Sequence, residues 1–290
     1  LDETGSGEWC PSALIVEAAG YLDASFTMTA ASGLELVEVG SWALWDDEIV
    51  RVDAIDQDAL TVTLGRGCAD TVPWQHAAGS RIWFCGDWAA TDGAQYLDGD
   101  TVNAKLLTRT SIDELALESA SLLTVDMDQR WFRPYPPAGV KINLLDYPEE
   151  TTGDVVLTWA HRDRAMQSDQ LIDAAAASIG PEPGVTYEAE FYPAVGTTPL
   201  AVESGLTGTT VTWTPPSDGV YRVELYSVRD ELTSWQKYSH IVTVGEAEVD
   251  PYWANVVSLL EFSGADGSTA ITDAKGKVWS VHGNAQISTV

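Results

Sequence analysis

Glu48-Ile49-Val50-Arg51-Val52-Asp53-Ala54-Ile55, followed by the turn cluster Asp56-Gln57-Asp58 and then by Leu60-Thr61-Val62-Thr63-Leu64, reads as a β-hairpin. The second arm alternates apolar residues with threonine, which gives one face to a core and the other to water. The first arm is β-rich but does not alternate strictly. Similar runs recur at 102–107, 122–125, 155–159, 186–191, 209–213, 221–228 and 241–244, nearly all bounded by Gly, Pro, Asp or Asn. Short strands with turn signals between them predict an all-β chain: small β-barrel and β-sandwich modules in series. Two helix candidates stand out. Ser111–Ser121 has a Ser111 cap with Glu114 three residues on, but reads equally as strand and loop. Gln170–Ile179 is Ala-rich and too short to be stable alone.

The 290 residues suggest about two domains, and an apolar fraction of 45% is enough to build cores. Fifteen basic residues against 44 acidic ones leave a formal charge of -29. Such a surface repels phosphate, which argues against nucleic acid and against anionic membranes as partners. No apolar stretch is long enough for a membrane span. Leu1-Asp2-Glu3 offers no leader-like charge or apolar run and no initiator Met, as in a chain processed or excised from a longer one. Only five of the basic residues are Lys, which leans toward a salty habitat as the cause of the acidity. Cys10, Cys68 and Cys85 are too few for a disulfide scaffold and match no zinc spacing. Cys68 and Cys85 could lie on neighbouring strands and pair, but the preferred reading is buried reduced thiols acting as small hydrophobes.

Proline sets the boundaries. Arg133-Pro134-Tyr135-Pro136-Pro137 cannot lie within a central strand, and the segment through 146–150 reads as a connector. Gly245-Glu246-Ala247-Glu248-Val249-Asp250-Pro251 reads as a second one. The expected divisions are 1–146, a β-barrel or β-sandwich module; 147–245, a sandwich; and 246–290, a linker and an incomplete terminal domain.

Within 153–244, Trp159 closes the strand Val155–Trp159. Tyr187, Ala189 and Phe191 share one face, as do Tyr221, Val223, Leu225 and Ser227, and Ser234-Trp235 precedes the last strand. This order resembles fibronectin type III domains. The resemblance implies a seven-strand sandwich with Tyr221 as its tyrosine corner, the hydroxyl bonding back to the preceding loop. His161-Arg162-Asp163-Arg164 then reads as a charged surface turn at a strand end.

A longer series runs alongside. Asp47-Glu48-Ile49-Val50-Arg51-Val52, Leu60-Thr61-Val62, Arg66-Gly67, Asp70-Thr71, His76-Ala77-Ala78-Gly79 and Ile82-Trp83 are followed by Tyr96–Val102, Lys105-Leu106-Leu107, Arg133–Pro137 and Trp159–Arg164. In this order they resemble the C-terminal part of the large tail-tip (baseplate hub or host-specificity) proteins of siphophages and gene transfer agents. A physical reason for the glutamate–histidine part of this pattern is a hydrogen bond between Glu48 and His76 across a small barrel, with Gly67 and Gly79 supplying the positive-φ turns. Both are then fold residues, and no serine elbow, phosphate loop or paired-histidine zinc motif occurs. Asp46-Asp47-Glu48 and Asp126-Met127-Asp128 offer oxygens a hard cation could take, but read better as solvated turns.

The final stretch, Asp250-Pro251-Tyr252-Trp253 through Val257–Phe262, Gly264–Ser268 and Gly283–Thr289, resembles the opening strands of a concanavalin-like (laminin G-like) jelly roll, with only about 40 residues of it present. Half a jelly roll leaves open edges, so either the native chain extends further or these residues pair with a neighbouring chain.

The phage resemblance implies a structural component of a tail tip or baseplate, assembled in the host bacterial cytoplasm and resident in the virion. Its implied partners are other tail-tip proteins, further copies in a homotrimer, and a host surface receptor or glycan. No enzyme activity and no cofactor or metal is expected. Of the 12 tryptophans, Trp42, Trp45, Trp74, Trp83 and Trp88 crowd one stretch. Trp83 is expected to be buried, whereas Trp74, Trp88 and Trp253 are the candidate partner or glycan contacts. The alternative reading is a secreted carbohydrate-binding or adhesion module, accessory to a glycoside hydrolase.

Overall fold

The structure is a computed structural model and describes residues 9–86, 88, 93–176, 178–245, 260–261, 267–269 and 272–273. The chain divides into two compact units, 1–245 and 246–290. Among the described residues it is all-β apart from two single-turn 3-10 segments.

The first six strands are β1 (Ser12–Ile15), β2 (Ser25–Ser32), β3 (Trp42–Trp45), β4 (Glu48–Asp56), β5 (Thr61–Gly65) and β6 (Arg81–Phe84). They close into a barrel in the order β1-β2-β5-β4-β3-β6, with β6 returning to β1. Ile15, Met28, Val50, Leu64, Ile82 and the fully buried Trp45 fill it. The irregular alternation of β4 has a local cause: its register with β5 shifts between Val52 and Ala54. The extra residue sharpens the twist a small barrel requires. Trp83 is not the buried tryptophan the sequence suggested. Ile82 and Phe84 take the inward positions of β6, so period two turns Trp83 outward, where the Arg81 guanidinium lies 5.4 Å from its ring.

Beyond the barrel, β7 (Thr101–Lys105) pairs with β8 (Leu122–Asp126) as a two-stranded arm. Residues 111–121 form turns rather than a helix; Glu114 instead bridges back to Arg109. Every residue of β8 is exposed, including Leu122, Leu123 and Val125. A ladder with no core behind it is marginal in water. Amide hydrogens of β7 and β8 are therefore expected to exchange orders of magnitude faster than those of the sandwich core strands in a hydrogen-exchange time course. Equal protection would mean that this arm is held by something else.

The sandwich comprises β9 (Ala138–Ile142), β10 (Glu150–Thr152), β11 (Val155–Ala160), β12 (Thr186–Pro193), β13 (Ala201–Leu206), β14 (Thr210–Trp213), β15 (Gly219–Arg229), β16 (Leu232–Thr233) and β17 (Tyr238–Gly245). One sheet runs β14-β11-β9; the other runs β10-β17-β15-β12-β13, with β16 on β15. Trp159, Tyr187, Phe191, Trp213 and Leu225 interdigitate between them. Tyr221 donates its hydroxyl hydrogen to the Ser217 carbonyl at 2.6 Å, the expected tyrosine corner. The strand order and this corner make the sandwich fibronectin type III-like. It begins earlier than the 146/147 boundary read from the prolines. β9 pairs with β11 across Leu157–Ile142, so the sandwich's first strand precedes the second part of that connector.

Barrel and sandwich belong to one compact unit, and the reason is a set of buried polar contacts. Arg162 and Asp163, expected at the surface, are each only 4% exposed. Arg162 donates to the barrel carbonyl of Gly67 at 3.1 Å and to that of Ile172 at 3.0 Å, and its guanidinium lies 5.2 Å from the Tyr135 ring centre. Burial pushes its guanidinium below the ordinary value. Arg51 reaches from β4 to the Leu171 carbonyl and to Asp173. Gln236 spans the other side, donating to the Asp47 carbonyl at 2.7 Å and accepting from the Val72 N–H at 2.9 Å. These contacts also explain why the described residues of 170–179 are not helical. The Ala174 N–H donates to the Arg66 carbonyl and its own carbonyl accepts from Gly139 N–H, so both groups serve the junction instead of an i→i+4 ladder.

In the second unit, β18 (Leu260–Glu261) pairs with β19 (Thr272–Asp273). Most of the expected jelly-roll start, Trp253 included, lies outside the described residues.

Candidate functional site

One end of the barrel holds a buried ionic cluster. Glu48 opens β4 on its inward face and is 2% exposed. Its Oε1 accepts from Arg66 Nε and from the Gly67 N–H, both at 2.8 Å. Its Oε2 accepts from Arg66 Nη2 at 2.9 Å and from the Trp74 N–H at 3.0 Å, and lies 2.8 Å from His76 Nε2. Arg66 spends all five of its N–H groups: two on Glu48, two on the carbonyls of Gly20 and Asp23, and one on the Trp74 carbonyl. The expected Glu48–His76 contact is present, and Arg66, which the motif series contains without an assigned role, is the member that ties it together. Its signal was there, an Arg-Gly directly after a strand, but nothing local distinguishes it from a surface arginine.

The cluster sits under aromatic cover. The Trp45 ring stacks on His76 at 3.9 Å, and the Arg66 guanidinium lies 5.1 Å from that ring. His76 Nδ1 lies 2.7 Å from Asp46 Oδ2, so both ring nitrogens face carboxylates, and only the doubly protonated ring can donate at both. Gly67 is required where it stands: φ is +61°, and a Cβ would meet Pro73 Cδ at 2.4 Å. Gly79 also has positive φ, as expected. Burial pushes the Glu48 carboxyl up, but the hydrogen bonds from His76 and Arg66, the Arg66 charge and the Trp74 N–H outweigh it, and its pKa lies below the ordinary value. Asp46, Asp47 and Glu48 do not converge as cation ligands, because Glu48 turns inward onto Arg66 while the two aspartates are exposed.

The outer side of this cluster is a solvent-facing cleft of about 440 Å³, lined by Asp46, Asp47, Trp74, Gln75, Lys237 and Ser239 among others. Trp74 is 48% exposed, yet its main chain is gripped on both sides, by Glu48 at the N–H and by Arg66 at the carbonyl. Its ring meets Tyr21 edge-on at 6.0 Å. Among the described residues, the Asp47 carboxylate and the Gln75 amide make no hydrogen bond within the protein. The arrangement is a fixed aromatic plate beside free polar groups, which suits a ligand with one apolar face and a hydroxylated edge. Trp88 is 40% exposed and does not line this cleft. A second cavity, about 250 Å³, lies at the junction of barrel and sandwich and is lined by Tyr21, Leu64, Val72, Tyr147 and Tyr238. It is largely apolar and belongs to the packing of the two cores.

No protein-family model and no curated protein matches the chain. Among solved structures it is similar to an Fn3-like protein from Clostridium thermocellum (18% identity, 40% of this chain and 98% of that one, TM-score 0.25). It is also similar to the FN1-FN3 domains of chicken CNTN1 (7% identity, 88% and 72%, TM-score 0.27) and to a two-domain fibronectin type III segment of chicken tenascin (11%, 80% and 99%, TM-score 0.25). The fibronectin type III-like character of the sandwich rests on its strand order and tyrosine corner.

Proposed function

We propose that this chain is a structural component of a bacteriophage tail tip or baseplate that positions, or forms part of, the host-attachment apparatus. One observation carries the reading. Glu48, Arg66-Gly67 and His76, which head the motif series resembling tail-tip proteins, converge on a single buried cluster. That cluster stiffens the barrel and holds Trp74 at the rim of the solvent-facing cleft. In this reading the side chains do mechanical placement and no catalysis, the partners are other tail-tip proteins and further copies in a homotrimer, and the cleft takes a saccharide of the host surface. Gold-labelled antibody against 138–245, imaged on intact phage particles, is expected to decorate the distal end of the tail. Decoration elsewhere, or none on opened particles, overturns the assignment.

The Trp74 cleft also favours the second reading, a secreted carbohydrate-binding module accessory to a glycoside hydrolase. Saturation-transfer NMR with glucose, galactose, mannose and N-acetylglucosamine is expected to show transfer from at least one sugar, lost in Trp74→Ala and kept in Trp88→Ala. No transfer at millimolar sugar removes the saccharide from both readings and leaves the tail-tip placement to the imaging.

A further inference from the structure

The barrel closes where β1 meets β6, and a cysteine stands just beyond each strand at the same end of that seam. The register pairs Ser12 with Trp83, Ala13 with Ile82 and Leu14 with Arg81. Continued outward, it sets Pro11 opposite Phe84 and Cys10 opposite Cys85. The Phe84 N–H donates to the Pro11 carbonyl at 2.9 Å, and the Ile15 N–H donates to the Ser80 carbonyl at 2.9 Å. Hydrogen-bonded and non-hydrogen-bonded pairs alternate along an antiparallel ladder, so Cys10 and Cys85 fall at a non-hydrogen-bonded position. The Cys85 N–H accordingly turns the other way, to the Trp42 carbonyl at 3.1 Å. Opposed residues at such positions have Cα atoms about 4.5 Å apart and the closest side chains, within the range a disulfide spans.

The geometry points to a Cys10–Cys85 disulfide across the closing seam of the barrel, formed when the chain meets a disulfide oxidant. All three cysteines are free thiols in this structure. Burial pushes the Cys85 thiol up to about 11, and the adjacent Cys10 sulfur adds to that shift. The pairing of Cys68 with Cys85 suggested by the sequence does not fit, because Cys68 is buried and directs its sulfur at the Gly65 carbonyl at 3.5 Å. With glutathione disulfide as oxidant, one protein thiolate attacks its S–S bond and expels a glutathione thiolate. The second protein thiolate attacks the resulting mixed disulfide and expels the other. Two protein thiols lose two electrons and two protons in all, and the oxidant leaves as two thiols. The link stays open in a reducing cytoplasm and closes outside the cell, which ties the first strand into the barrel. This pairing does not depend on the tail-tip reading.

The full chain, purified under reductant and then incubated with glutathione disulfide, is expected to lose about 2 Da in intact mass. It should yield one intramolecular Cys10–Cys85 cross-linked peptide and leave only Cys68 to alkylate after denaturation. Closing so long a loop is expected to raise the Tm by about 5–10 °C, reversibly with dithiothreitol. Cys68→Ser should keep the mass change and the Tm response, and Cys10→Ser should lose both. Three alkylated cysteines after oxidation, a Cys68-containing link, or covalent dimers in place of the internal bridge would overturn the assignment. If Cys10→Ser does not fold, the peptide map of oxidised Cys68→Ser still decides.

Discussion

Glu48→Gln is expected to destabilise the folded unit by about 3–5 kcal/mol, the range for breaking a buried ion pair by removing one partner. The substitution keeps the shape and removes the charge. A glutamine amide offers one oxygen and one NH2 where the carboxylate offered two acceptors. Four N–H donors from Arg66, Gly67 and Trp74 converge on that site together with His76 Nε2. Whichever way the amide turns, its NH2 faces donors, and Arg66 is left buried without its countercharge. Urea unfolding followed by circular dichroism would measure the loss, and a change below 1 kcal/mol would sink the idea that this cluster holds the barrel. The same variant loosens the Trp74 plate, so any sugar contact at the cleft should weaken with it.

A pH dependence follows from the same residue. The Glu48 pKa is held below its ordinary value in the folded protein, so the folded state binds this proton less readily than the unfolded chain does. The stabilisation is therefore fully present above the unfolded value, about 4.3, and is lost as the pH falls through the lower folded value. The native protein should lose stability on acidification below about pH 4 more steeply than Glu48→Gln, which has no such proton to take up. Parallel stability curves for the two proteins between pH 3 and 6 would contradict this.

Arg162→Ala is the second large effect, and it acts on the joint between the modules. The native side chain ties β11's end to the barrel loop at Gly67 and to the Ile172 carbonyl, beside the Tyr135 ring. Truncation leaves two carbonyls unsatisfied and opens a cavity, for an expected cost of about 3–5 kcal/mol. Scanning calorimetry should show one unfolding transition for the native unit. For the variant it should show two, because the sandwich has its own core and no longer melts with the barrel. A single, unshifted transition would mean that Arg51 and Gln236 suffice to couple the modules.

How far these sites were readable in advance differs by residue. The Tyr221 corner was implied by the fibronectin resemblance and the Glu48–His76 contact was the physical reason offered for the tail-tip motif pattern, and both are in place. The buried roles of Arg66 and Arg162 were not legible. Each sits next to polar or glycine residues that look like a surface turn, and their partners include carbonyls 43 and 95 positions away. Trp74 was legible as a candidate only in company with Trp88 and Trp253. Its cleft exists because Gln236 and Lys237, from the other module, face Asp46 and Asp47 of the barrel.

The all-β class, most of the strand positions, the turn glycines and the inward faces of β12 and β15 were legible in the sequence alone, because periodicity and turn chemistry act over a few neighbouring residues. Which modules share one body, which arginines are buried, which cysteine opposes Cys85 and which tryptophan faces water were decided only by the tertiary structure. Those outcomes depend on strand register and on carbonyls brought from distant parts of the chain, and no local pattern of side chains records where a backbone oxygen will be left waiting for a donor.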